Sequence, residues 1–131
     1  MVDCKYGFGK KVRSSYHETL VRVERLLNDH GFGVYSRINV MDLFADDAAV
    51  PFRRYIIIGG CHPEFARQAF GADVNIGLLL PCNIIIYENL AGEVFVMAKD
   101  PVHMMDFLKS PAAITAASRI KCEVEQLIEE L

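Results

Sequence analysis

No apolar run in these 131 residues approaches the roughly 20 that a helix needs to cross a bilayer. The opening MVDCKYGFGKKVRSS holds no apolar core of the kind a secretory signal requires, so a cytoplasmic protein without a membrane partner is expected. In that compartment the four cysteines are expected as thiols rather than disulfides. Clustered positive charge is also missing. The formal net charge is −3, and the densest basic group is Lys10, Lys11 and Arg13, which reads as a solvated strand edge. A nucleic-acid surface needs a basic stripe, so no nucleic-acid partner is expected.

Several site motifs are absent. There is no C-x-x-C and no four-ligand spacing of a structural zinc, so no metal is assigned. Gly59-Gly60 precedes an expected helix, yet the Lys-Ser/Thr of a phosphate loop and the G-x-G-x-x-G of a dinucleotide fold are both lacking. G-x-S-x-G does not occur. No internal repeat, linker or low-complexity tract breaks the chain, and its length suits one domain over residues 1–131.

What is present is apolar and isoleucine-rich. Just over half the residues are apolar, enough for a core without covalent staples. The stretch Arg53–Glu88 organises the rest. Tyr55–Ile58 and Cys82–Tyr87 are nearly continuous apolar runs and read as buried strands. Before them, Lys5–Val12 is expected as a strand, weakened by Gly7 and Gly9. Ser15-Tyr16-His17-Glu18 has the form of a capping box. Leu20, Val23, Leu26 and Leu27 then mark one helical face, and Gly31 is placed to end the helix. Phe32–Val40 follows as a strand, with Phe32, Val34 and Ile38 on one face and Tyr35 and Arg37 on the other. Met41–Ala49 reads as one or two helical turns ended by Pro51.

Later, Pro63 opens a helix to Phe70 that Gly71 stops, and Asp73–Gly77 is a connection with room for a helical turn. Asn89-Leu90-Ala91-Gly92 reads as a hairpin turn before the last strand, Val94–Ala98. Asp100-Pro101 starts a helix to about Leu108. Ser110-Pro111 starts the final helix, whose apolar stripe includes Ile114, Ala117, Ile120, Val124, Leu127 and Ile128. The order β-α-β-β-α-β-β-α predicts a two-layer α+β domain, a mainly antiparallel sheet with the long helices on one face.

The paired blocks GGCHPEFARQAF and GLLLPCNIIIYE resemble the signature of the domain-of-unknown-function 302 family. SSYHETLVRVERLLNDHGFGVYSRINV and VFVMAKDP extend the resemblance to nearly the whole chain. It implies a TATA-binding-protein-like α+β fold in a single copy, in small, mostly bacterial or archaeal proteins, some of them dimers. No activity is attached to the family. One departure is His62, where the family often carries Asn.

Cys61 is the sharpest chemical candidate, because a helix starting near Pro63 would set its positive end beside the thiol and lower the thiol pKa. The plainer reading is a small residue at a tight junction. Cys82 follows Pro81 at a strand entrance, and neighbouring strands would bring both thiols to one end of the sheet. Glu88, at the end of an apolar strand, reads either as an acid or base of raised pKa or as the strand's emergence into water. Tyr55 and Tyr87 read as pocket lining or as core. His103, Met104 and Met105 lack a haem attachment motif, and the methionines read as gap fillers. His17 and His30 read as solvated residues at helix ends, and Cys4 and Cys122 as isolated.

The leading expectation is a small-ligand or thiol/redox binding domain with its site at Gly60, Cys61, His62, Pro63, Pro81 and Cys82, and Glu88 at the rim. Its partner would be a small molecule or an anion held at the helix start. The sequence names no cofactor. The alternative is a non-enzymatic homodimeric module in which the cysteines only pack. The third is a cysteine-dependent enzyme in sulfur handling, which needs a base beside Cys61.

Overall fold

The computed structural model describes residues 2–44, 49–105 and 109–131, without the side chains of 104 and 105. Six strands form one sheet: β1 (Val2–Cys4), β2 (Gly7–Val12), β3 (Gly33–Asn39), β4 (Phe52–Cys61), β5 (Cys82–Asn89) and β6 (Val94–Lys99). Their order across the sheet is β1-β2-β6-β5-β4-β3, and every neighbouring pair is antiparallel. The helices are α1 (Tyr16–Asp29), α2 (Pro63–Ala72), α3 (Pro101–Met105) and α4 (Pro111–Glu130). This is the α+β domain that the sequence pattern predicts. Among the described residues no helix is long and apolar enough to cross a membrane.

The core lies on one face of the sheet. Phe8, Val12, Ile56, Ile58, Ile84, Ile86, Val94, Val96 and Ala98 are all buried there. They join Val23 and Leu27 of α1, Phe65 and Ala69 of α2, and Ala117, Ile120, Val124 and Leu127 of α4 in one apolar cluster. The registers Ile56↔Ile86 and Ile58↔Ile84 place β4 and β5 at its centre. Each fully buried isoleucine contributes about 1.5–3 kcal/mol of transfer free energy.

The helix ends follow their local signals. The Ser15 hydroxyl accepts from the Glu18 amide at 3.1 Å, and Ser110 does the same for Ala113 at 3.3 Å. Gly31, with φ +86°, ends α1, and the Phe32 amide closes the turn onto the Leu27 carbonyl at 2.8 Å. The Asn89 side chain accepts from the amides of Ala91 and Glu93, which fixes the β5–β6 turn.

Four expectations are corrected. The first strand is not continuous from Lys5. The chain turns at Lys5-Tyr6, and β1 pairs back on β2. In β3 the register shifts between Val34 and Ser36, and a bulge of this kind exchanges the faces of the residues after it. Val34 therefore pairs with Gly60 on the helix side, whereas Ile38 pairs with Ile57 on the other. Arg37 falls on the helix side and forms an ion pair with Glu24 of α1. Third, α2 runs one residue past Gly71. Fourth, the turn after β3 is a short 3-10 helix, Val40–Leu43, capped by Asn39. The rest of the turn expected there, residues 45–48, lies outside the described residues, as do residues 106–108 of the helix expected to reach Leu108. The gap-filling reading of Met104 and Met105 also rests on side chains that are not described.

Candidate functional site

The register Gly60↔Cys82 sets the end of β4 beside the start of β5, so the segments carrying the two cysteines are neighbours. Their thiols nevertheless diverge. Cys82 shares the helix face with Gly60 and is buried in the core. Cys61, one residue on, pairs with Gly33 and lies half-buried on the opposite face. Burial pushes the Cys61 thiol above its ordinary pKa, and it pushes Cys82 up to about 11 against the opposing pull of Lys99, with the Cys61 sulfur, near enough to be felt from the other face, adding a smaller push. The expected thiolate at a helix start is corrected. Cys61 precedes the N-cap residue His62, so its sulfur lies outside the first turn and desolvation decides its state.

His62 caps α2 without a side-chain hydrogen bond, and Pro63 is the first helical residue. The imidazole meets Phe32 edge-on at 5.4 Å, and its buried Nδ1 has no partner among the described residues. With Glu64, Gln68, Arg119 and Glu123 it lines a cleft of about 50 Å³ between α2 and α4, too small for an organic ligand. Glu88 is not part of this end of the sheet. It pairs with Arg54, six residues along β5 from Cys82, which is about 20 Å of strand. There it helps raise the pKa of Tyr16, whose main cause is burial. Among the described residues, no group of three or more His, Cys, Asp or Glu is placed to hold a metal ion.

The face of the sheet turned away from the helices carries a more apolar feature. Phe52, Tyr55, Tyr87 and Phe95 form an aromatic ladder across β4, β5 and β6, with ring centroids 4.8, 5.6 and 5.1 Å apart. The last three rings are stacked, each 15° from its neighbour. Beside the ladder, Ile85 and Met97 face each other in register, and Ile57 pairs with Ile85 on the other side. All of these side chains are half-buried. Glycines lower the surface at defined points. A Cβ at Gly9 would stand 2.7 Å from the Met97 sulfur, and one at Gly59 would stand 2.8 Å from the Pro81 ring, so both side chains lie flat over bare backbone.

A groove of about 350 Å³ runs over this surface. Its floor is Ile85 and Met97, Tyr6, Tyr55 and Tyr87 form its walls, and Asn83 and Lys99 stand at its polar end. The Lys99 ammonium donates to the carbonyls of Leu79 at 2.6 Å and Pro81 at 2.9 Å. Burial lowers its pKa, with the Cys82 sulfur opposing. Burial raises the pKa of Tyr55 and Tyr87, so their phenols remain hydrogen-bond donors at neutral pH. Of the sequence-chosen residues Pro81 thus reappears, with Leu79, as the seat of Lys99. Tyr55 and Tyr87 were legible as pocket lining or core. Asn83, Met97, Lys99 and Tyr6 were not singled out, and the usable signal was the alternation of β6, where Phe95, Met97 and Lys99 share one face.

One histidine reading is also corrected. His30 is not solvated: its two ring nitrogens meet Glu123 at 2.7 Å and Glu130 at 2.9 Å, tying the end of α1 to α4. Both hydrogen bonds raise its pKa.

Comparison with solved structures finds an uncharacterized conserved protein DUF302 from Bacillus stearothermophilus. It aligns with a TM-score of 0.85 at 20% sequence identity, over 96% of this chain and 98% of that one. At that identity the likeness is one of fold. Comparison with curated protein sequences finds no match. The family model described as domain of unknown function DUF302 matches residues 8–131, and with nearly the whole chain covered, the protein belongs to that family.

Proposed function

We propose that the protein is a small-ligand binding domain that works without covalent chemistry, through the groove on the helix-free face of its sheet. The observation that supports this is the aromatic-walled hollow of about 350 Å³ on that face, within the size range of small-molecule sites. Of the sequence-chosen residues, only Pro81 adjoins this site, through the carbonyl that accepts from Lys99, and Gly60–Pro63 are not among the residues that line it. A thiol/redox role is the weaker form of the reading, since Cys61 and Cys82 face opposite sides and burial disfavours both thiolates. Four unbridged thiols suit a reducing compartment, and the cytoplasm is part of this reading.

The test is ligand-observed NMR with a library of small aromatic compounds on the full chain. Hits should compete with one another, disappear in Tyr87→Ala, and persist in Phe70→Ala, whose ring is exposed away from the groove. Hits that survive Tyr87→Ala, or no hits at all, would overturn the reading.

A homodimer is the second reading. Ile38 and Val2 continue the apolar surface beyond the groove and are 45% and 41% exposed. Sedimentation should then show a concentration-dependent dimer that Ile57→Asp dissociates. A monomer throughout the micromolar range would remove this reading and leave the first intact.

A further inference from the structure

We infer that the groove takes a small planar aromatic anion, its rings against Tyr55 and Tyr87 and its negative group at Lys99 and Asn83. This deepens the binding role proposed above and rests on it. The wall chemistry sets the ring requirement. Tyr87 has its faces covered by Tyr55 and Phe95, with centroids 5.6 and 5.1 Å away, so it meets a ligand ring edge-on, a favourable aromatic geometry, and Met97 adds a polarisable thioether on the floor. The polar end sets the charge. Lys99 carries three donor hydrogens, and the carbonyls of Leu79 and Pro81 take two of them. Among the described residues no carboxylate lies within ion-pair distance of it. A half-buried ammonium partnered only by neutral carbonyls is incompletely compensated, and an incoming anion supplies the missing charge.

Other donors converge on the same end and its walls. The Asn83 amide and the hydroxyls of Tyr55 and Tyr87 line the groove and hydrogen-bond to no other described residue. The phenols stay protonated at neutral pH, so they offer donors to an oxygen-rich anion. From Tyr87 to Asn83 is four residues, about 13 Å of strand. That length fits one or two fused rings with an acidic group at one end. The other hollows match such a ligand less well: the cleft at His62 is about 50 Å³, and the one beside Asp3 and His103 has no aromatic wall but Phe8, sets Asp3, Asp100 and Glu125 beside Lys5 and Lys121, and has Lys121 already paired with Asp100 at 3.0 Å.

Two probes that differ in charge test the inference on the full-length protein: 8-anilinonaphthalene-1-sulfonate and neutral N-phenyl-1-naphthylamine. Both should give saturable fluorescence at one site per chain, and Tyr87→Ala should weaken both at least tenfold. Lys99→Met should weaken the sulfonate at least tenfold and the neutral probe less than twofold, whereas Lys99→Arg should keep sulfonate binding within threefold. An unchanged urea midpoint shows that each variant is folded. If Lys99→Met weakens both probes equally or neither, the anion inference is overturned while the groove still binds. If neither probe saturates, or Tyr87→Ala changes nothing, the binding role itself falls. If Lys99→Met unfolds the protein, Lys99→Arg decides: loss of sulfonate binding in that folded variant overturns the inference, and retained sulfonate preference over the neutral probe supports it.

Discussion

The two faces of the sheet are built from interleaved residues of the same strands, and both are apolar. On one face Ile58 and Ile86 are completely buried under the helices. On the other, Ile57 and Ile85 sit one residue away and are only half-buried. An antiparallel sheet in water ordinarily alternates apolar and polar residues, because helices cover one side. This chain supplies one helical layer yet writes both sides in apolar residues. The uncovered side compensates in part by packing upon itself, with Tyr87 stacked between Tyr55 and Phe95 and with Met97 and Pro81 lying over glycines. Apolarity that exceeds what the fold itself needs to bury is the ground on which a binding role is proposed for this face.

The sharpest way to break this comparison is to truncate equivalent residues on each side. Ile86→Ala leaves a cavity under the helices and should cost about 2–5 kcal/mol. Ile85→Ala removes a half-covered side chain and should cost about 1 kcal/mol. Urea unfolding of both variants at several protein concentrations checks this. Equal costs would mean that the two faces are equally buried in solution. A cost for Ile85→Ala that grows with protein concentration would identify a second copy as the cover.

The same alternation explains what the sequence could and could not disclose. Helix boundaries were legible because Ser15, Gly31, Ser110 and Pro111 act on backbone groups within one turn. The antiparallel α+β layering was legible from the order of elements. The runs Tyr55–Ile58 and Cys82–Tyr87 read as buried because a continuous apolar run carries no information about which alternate residues the helices will cover. The bulge at Val34 was invisible for a related reason: a shift of one residue moves Arg37 toward Glu24 and Ile38 away from the core without changing composition. The candidate cysteines were legible as neighbours only on the condition that their strands pair, and their facing depended on the β4–β5 register, which places Cys61 and Cys82 on opposite sides. Lys99 drew no attention because its meaning lies in two carbonyls, those of Leu79 and Pro81, about 20 residues earlier in the chain.

The cysteines provide a second, smaller test of the same contrast. Cys82→Ser puts a hydroxyl into the apolar core and should destabilise by about 1–3 kcal/mol. Cys61→Ser, on the uncovered side, should stay within about 0.5 kcal/mol. Alkylation of the native protein sharpens the pair. At pH 7.5 iodoacetamide should label Cys4 and Cys122, which are exposed, faster than Cys61, and should reach Cys82 only on unfolding. Labelling of native Cys82 at a rate near that of Cys4 would show that the helical layer opens readily.

The smallest expected effect concerns how that layer is fastened at its outer edge, where polar contacts replace apolar ones. His30 joins α1 to α4 through Glu123 and Glu130, and Arg22 adds a bond to the Glu130 carbonyl at 2.8 Å. The folded state holds the His30 pKa above 6.5. The stabilisation is therefore fully present below about pH 6.5, the unfolded value, and is lost as pH rises through the raised folded value. Both carboxylates are about half exposed, at 43% and 52%, so solvent screens the pair. The contribution should be on the order of 1 kcal/mol or less. The gap between wild type and His30→Ala in unfolding free energy should thus be wider at pH 6 than at pH 8 and should shrink in 1 M salt. A gap that does not change between these pH values would mean that His30 contributes by packing against α4 rather than by its charge.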